Sequence, residues 1–284
     1  MKAHLDCIPC IQEQALRAAR AAGASQSQQR TILRRVLEHL AQADWTDTPL
    51  ALGMGVHRIV RELTGVDDPF EQAKARANGA ALALYPGLQE QVRNAEDPLR
   101  MAVRLALAGN IMDLGAMESY DLTATLDRVA GLEFAVDDFD ELAQQLDQAR
   151  EIIIFADNAG EIVFDRLLIE TIIARHRLRV ALVVKSGPFI NDATIRDVEQ
   201  AGIEAIRRIE ILQVSNGDDA RYPAYDWDEV ARWIRGHDVA IAKGQANYEA
   251  LSEYSGIFYM LMAKCPPVAS TIGVEVGDIV VQFR

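Results

Sequence analysis

Apolar residues in the first half of the chain recur every three to four positions. Ser25 to Leu40 carries Ile32, Leu33, Val36, Leu37 and Leu40, the stripe of a helix with one buried face. Residues 7–22, Leu50 to Thr64, Pro69 to Leu84, Pro98 to Gly109 and Asp138 to Ala149 also read as helices. Gly65 closes one of them and Pro86-Gly87 another. Beyond residue 150 the apolar positions gather into short continuous runs: Ile152–Phe155, Val180–Val184, Val239–Ala242, Phe258–Ala263 and Ile279–Phe283. Helix-like stretches lie between them, one reaching Arg175, one from about Ala193 to Gln200 and one starting near Asn247. Val plus Ile number 13 in residues 1–150 and 31 in residues 151–284. Such β-branched residues pack well in strands and lose rotamer freedom in helices, so the two parts differ in architecture.

Unbroken apolar strands alternating with helices predict a parallel sheet covered on both faces. The expected fold is α/β, a Rossmann-like three-layer sandwich with a mostly parallel sheet, preceded by a helical N-terminal region. The expected division is a helical region over 1–150, packed as a cap on an α/β core over 151–284. There is no internal repeat and no low-complexity linker.

Ligands of such sheets sit at the carboxyl ends of the strands. There the sequence reads Ala156-Asp157-Asn158-Ala159-Gly160-Glu161, then Lys185 through Asn191-Asp192, then Lys243-Gly244-Gln245-Ala246-Asn247. Any one Asp-Asn pair after a strand is more often a helix N-cap than a ligand, and a Lys-Gly pair is usually a turn. Three such loops at equivalent positions hold three carboxylates, three asparagines and two lysines, more than capping requires. Hard oxygen donors suit a divalent ion, and lysines with helix N-terminal amides suit a phosphate.

These three loops resemble the signature of the metal-dependent damage-control phosphatases, a family long catalogued only as a domain of unknown function. Gly109-Asn110-x-x-Asp113 and Lys264-Cys265-Pro266 also match, so the resemblance spans nearly the whole chain. Cys7-x-x-Cys10 is similar to a prokaryote-rich branch. Ala246 departs from the pattern, standing where glycine is expected.

The resemblance implies a hydrolase acting on phosphate monoesters of small, sometimes damaged, metabolites such as sugar phosphates. It implies a divalent ion (Mg, Mn, Co or Ni) on Asp157, Asn158 and Asp192. It assigns phosphate contact to Lys243, with Asn110, Lys185, Gly244 and Asn247 in the same pocket. Asp157, Glu161 and Lys243 are the expected catalytic residues. Glu161 either orients a water or complements its helix dipole. The nucleophile is a metal-activated water or the Asp157 carboxylate, and both stay open.

Charge and cysteine usage narrow the setting. Twenty-nine Lys and Arg against 42 Asp and Glu give a net charge of −13, which repels nucleic acid and anionic membranes. No apolar stretch reaches the roughly 18 residues of a membrane span. Three cysteines fit a reducing, cytoplasmic compartment. His4-x-x-Cys7-x-x-Cys10, with Cys265, has spacing for a second metal or a redox pair. The plainer reading is a helix start with Cys10 packed inward. His39, His57, His176 and His237, and Trp227 and Trp233, read as packing or surface residues. Two other functions compete: an S-adenosylmethionine-dependent carboxyl methyltransferase, for which the lone Gly160 after the first strand is too few glycines, and a non-catalytic metal- or nucleotide-binding module. Oligomeric state leaves no mark in the sequence.

Overall fold

A computed structural model describes residues 1–110, 131–215 and 226–284 of the chain; Asp113 lies outside them. Five helices come first: α1 (Cys7–Ala21), α2 (Gln26–Gln42), α3 (Pro49–Thr64), α4 (Glu71–Asn94) and α5 (Pro98–Gly109). Strand β1 (Val136–Asp137) and helix α6 (Phe139–Gln148) follow. The alternating part then runs β2 (Glu151–Phe155), α7 (Glu161–Arg175), β3 (Arg179–Lys185), α8 (Ile195–Ala201), β4 (Ile209–Val214), α9 (Trp227–Gly236), β5 (Val239–Lys243), α10 (Gly244–Leu251), β6 (Ile257–Met262), α11 (Pro266–Ile272) and β7 (Ile279–Phe283).

The seven strands form one sheet in the order β1-β7-β6-β5-β2-β3-β4. Neighbours run parallel except β6 and β7. Successive side chains of a strand point to opposite faces. Ile152 and Ile154 accordingly enter a core with α4, α5 and α7. Ile153 and Phe155 enter a second core with Leu50, Phe189, Tyr248 and Leu251. Both faces are covered, which makes the predicted three-layer sandwich. Helices α1 to α3 close around a third core of Ile11, Ile32, Val36, Val56 and Val60, whereas α4 and α5 pack directly on α7. No described helix is long and apolar enough to cross a membrane.

Three expectations change. Helix α4 does not stop before Pro86 but continues to Asn94. Ala77, Ala81, Tyr85, Leu88 and Val92 form one buried stripe across the proline. Their burial offsets the roughly 3 kcal/mol that an interior proline costs. Strand β4 reads Ile-Glu-Ile-Leu-Gln-Val, an edge strand whose polar positions broke the continuous apolar run expected of a strand. Strand β1 is two residues long, too short for any periodicity.

His57 on α3 is buried, edge-on to the Phe189 ring at 5.2 Å, and its Nε2 has no partner. Burial, with Arg61 adding repulsion, lowers its pKa to about 4. Between pH 6.5 and 4 the unfolded chain binds a proton that the folded chain refuses. Stability should therefore fall by about 3 kcal/mol as pH drops through that window. Urea unfolding of His57→Leu should show a loss smaller by about this amount between pH 7 and 4. Parallel curves for the two proteins would contradict it.

Candidate active site

Strand β2 leads to β3 on one side and β5 leads to β6 on the other, so the sheet opens a crevice between β2 and β5. Asp157 and Asn158 follow β2, Lys243 ends β5, and the loop after β3 folds back onto the first. Ala193 N–H donates to Asp157 O at 2.8 Å and Ala159 N–H to Asn191 O at 2.8 Å. Asn158 and Asp192 thereby face each other as an antiparallel pair. The turn into α7 is made by Gly160, φ 79°, whose N–H donates to the buried Asn78 Oδ1 at 2.6 Å. Asn78 in turn donates to Asp197 and Gln200 of α8 at 2.8 and 2.6 Å.

Behind the crevice sits a fully buried ionic network. Lys243 Nζ lies 2.8 Å from Glu161 Oε1, 2.5 Å from Asp165 Oδ1 and 3.2 Å from the Ala106 carbonyl oxygen. Burial alone would neutralise this lysine, but Asp165 and Glu161 outweigh it and hold the ammonium above its ordinary pKa. Glu161 Oε2 accepts from Asn110 Nδ2 at 2.8 Å and Asn158 Nδ2 at 3.3 Å. The same two amides donate to Asp157 Oδ2 at 2.8 and 2.6 Å. That leaves Asp157 Oδ1 and the side-chain amide oxygen of Asn158 without a protein donor among the described residues. Burial, then the nearby Glu161, push Asp157 well above the usual carboxylate range. Asp192 rises to about 6 by burial, opposed by Lys185, whose Nζ is 3.8 Å from Oδ2.

A cavity of about 430 Å³ opens in front of this network. Asp157, Asn158, Asn191, Asp192 and Lys264 line it, together with Leu50, Phe189 and Pro266. The three expected metal ligands are therefore on one wall. The others are not. Lys243 and Glu161 are 0% exposed and stand behind that wall. All three ammonium protons of Lys243 are engaged, so the expected direct phosphate contact gives way to a holding role. Asn110 orients Asp157, and Lys185 partners Asp192. Asn247 Nδ2 donates to the carbonyl oxygens of Ala156 and Lys243 at 2.9 and 2.7 Å, locking the ends of β2 and β5 together. Gly244, φ 77°, is there because a Cβ would fall 1.9 Å from Asp157 Oδ2.

Asp165 was missed, and Lys264 was noted only within the Lys264-Cys265-Pro266 match, with no role given to it. Asp165 sits one helical turn after Glu161 among Ile162, Val163, Phe164, Leu167 and Leu168; two carboxylates at i, i+4 in that apolar stretch were the available signal. Lys264, the lysine that does line the cavity, lies in the loop after β6. Cys10 is exposed rather than packed inward; Cys7 and Cys265 are half-buried, and all three line the cavity. Burial raises the thiol pKa of Cys7 and Cys265, keeping them protonated. Among the described residues no three His, Cys, Asp or Glu side chains converge into a ready-made metal cluster, the cysteines included. The oxygen set on the wall is two carboxylates and an amide. Those hard oxygens, with both carboxylates lining the cavity, fit a divalent cation.

Residues 3–280 match the damage-control phosphatase ARMT1-like domain. A damage-control phosphatase from Archaeoglobus fulgidus is 36% identical over 237 residues, covering 81% of this chain and 80% of that protein. A damage-control phosphatase from Pyrococcus horikoshii is 30% identical over 292 residues, covering 99% and 97%. An uncharacterized Methanocaldococcus jannaschii protein is 31% identical over 98% of this chain and 94% of its own length. The crystal structure of a DUF89 family protein from Pyrococcus horikoshii superposes with a TM-score of 0.86 and 28% identity, over 100% of this chain and 99% of that one.

Lys243→Met strands two buried carboxylates and should cost about 3–5 kcal/mol in urea unfolding. Adding Asp165→Asn should recover part of it, and a cost below about 1 kcal/mol would refute the holding role. Gly244→Ala should destabilise through strain and displacement of Asp157. Gly79→Ala, with nothing within 4 Å of its added methyl, should leave thermal stability equal or higher.

Proposed function

The chain belongs to the damage-control phosphatase ARMT1-like domain family, and from that premise we propose that it is a divalent-metal-dependent phosphatase of small phosphorylated metabolites, damaged ones included, working in the cytoplasm. The observation that carries this reading is the convergence of Asp157, Asn158, Asp192 and Lys264 on one cavity at the switch point of the sheet. Phosphoryl transfer needs charge against the phosphoryl oxygens and a fixed geometry for attack and departure.

Asp157, Asn158 and Asp192 would hold the ion, which supplies Lewis-acid charge to the phosphoryl group. Lys264 brings a cation that no carboxylate hydrogen bond occupies among the described residues, and we assign it to the phosphoryl oxygens. Asn110 and Asn158 fix the Asp157 carboxylate by donating to Oδ2, so Oδ1 keeps one direction. Glu161 works at one remove: it accepts from both amides and is itself held by Lys243. Lys185 moderates the charge of Asp192.

Hydrolysis of p-nitrophenyl phosphate should depend on Mg²⁺, Mn²⁺, Co²⁺ or Ni²⁺ and stop with EDTA. Asp157→Asn and Asp192→Asn should lower kcat on the order of a hundredfold or more while circular dichroism shows an intact fold. Lys264→Met should mainly raise KM. Binding of metal without turnover of that ester, or of a panel of sugar phosphates, would leave a binding module and reject the enzyme.

A further inference from the structure

Two acidic groups lining the cavity, Asp6 and Glu249, have no task in the phosphatase reading, and Asp6 is exposed. Glu249 lies on α10 and lines the same cavity as Asp157, Asp192 and Lys264. Among the described residues it shares no hydrogen bond with any of them. Its Oε1 accepts from Gln245 Nε2 at 3.1 Å, while among the described residues Oε2 accepts no hydrogen bond. The supporting amide is fixed. Gln245 Oε1 takes the Lys264 backbone N–H at 2.9 Å, and its Nε2 also reaches Cys265 Sγ at 3.2 Å. Glu249 is therefore a carboxylate held at a set position with one oxygen unfilled. Burial pushes its pKa up to about 7, against the opposing effects of Gln245 and the N-terminal ammonium of Met1, which donates to the Glu249 backbone carbonyl. A carboxylate in that setting gains most from a donor brought in by a ligand. The cavity lining also includes apolar Ile11, Leu50, Phe189, Pro266 and Pro267, together with the thiols of Cys7, Cys10 and Cys265.

We propose that Glu249 is a specificity-determining residue, accepting a hydrogen bond from a hydroxyl or ammonium group on the organic part of the phosphorylated substrate. The proposal rests on the phosphatase reading. It means that the substrate carries, beside its phosphate, an organic group with an apolar face and at least one donor. The phosphate end is handled by Asp157, Asp192 and Lys264, so a lost donor contact at Glu249 changes which ester is preferred.

The test compares kcat/KM for three esters under the same metal: p-nitrophenyl phosphate, which has no donor, glycerol 1-phosphate, which offers hydroxyls, and O-phosphoethanolamine, which offers an ammonium. Glu249→Leu removes the acceptor. Its preference for a donor ester over p-nitrophenyl phosphate should fall about 10- to 100-fold, the effect of one hydrogen bond to a charged group. A fall for the glycerol ester assigns a hydroxyl, and a fall for the ethanolamine ester an ammonium. Where Glu249→Leu does not fold, the same ratios in Glu249→Gln decide, on a tenfold fall for the ammonium ester. Ratios within twofold of wild type for both donor esters overturn the proposal. Wild-type protein that turns over none of the three with metal overturns the phosphatase reading itself, a separate failure.

Discussion

A single buried ammonium organises this molecule. Lys243 ends the central strand β5 and is enclosed by Glu161 and Asp165 of α7 and the Ala106 carbonyl of α5. Stripping a lysine of water is expensive, and only close, well-directed acceptors offset it. Three elements from different parts of the chain must therefore meet at that atom. From Glu161 the constraint passes through the amides of Asn110 and Asn158 to Asp157, so the orientation of a cavity carboxylate is set by an ion pair that never reaches the cavity.

The topology explains why this can happen next to open space. Strands β2 and β5 are paired, but the chain leaves them towards opposite sides of the sheet, and at their ends the Asp157 carboxylate lies against the backbone of Gly244. Only glycine fits at that approach. Asn247 closes the gap by bonding the carbonyls at the ends of both strands. The loop carrying Asp192 is hydrogen-bonded back onto the Asp157 loop. Donors on three loops thus behave as one rigid wall.

Much of this was legible from the order of residues. Five strands, β2, β3, β5, β6 and β7, follow from continuous apolar runs, because their positions are largely buried on both faces. Edge strand β4 was hidden by Glu210 and Gln213, since an edge tolerates polar positions that a central strand does not. The end of α4 was misread because the proline's local cost is visible in sequence and the burial that outweighs it is not. At the site, residue types on the loops pointed to oxygen ligands and lysines. Which lysine faces the cavity depends on side-chain direction: Lys243 and Lys264 both follow strands, yet one is enclosed by carboxylates and the other lines the cavity. The role of Asp165 is of the same kind, since it acquires meaning only when β5 packs against α7.

The central claim is that Asp157, Asn158 and Asp192 hold a divalent ion in front of this network. Anomalous diffraction from crystals soaked in Mn²⁺ tests it most directly. The predicted result is one anomalous peak per chain, within coordination distance of oxygens from those three residues and absent in Asp157→Asn crystals. A peak among Cys7, Cys10 and Cys265, or no peak on the Asp157 wall at saturating Mn²⁺, would contradict it.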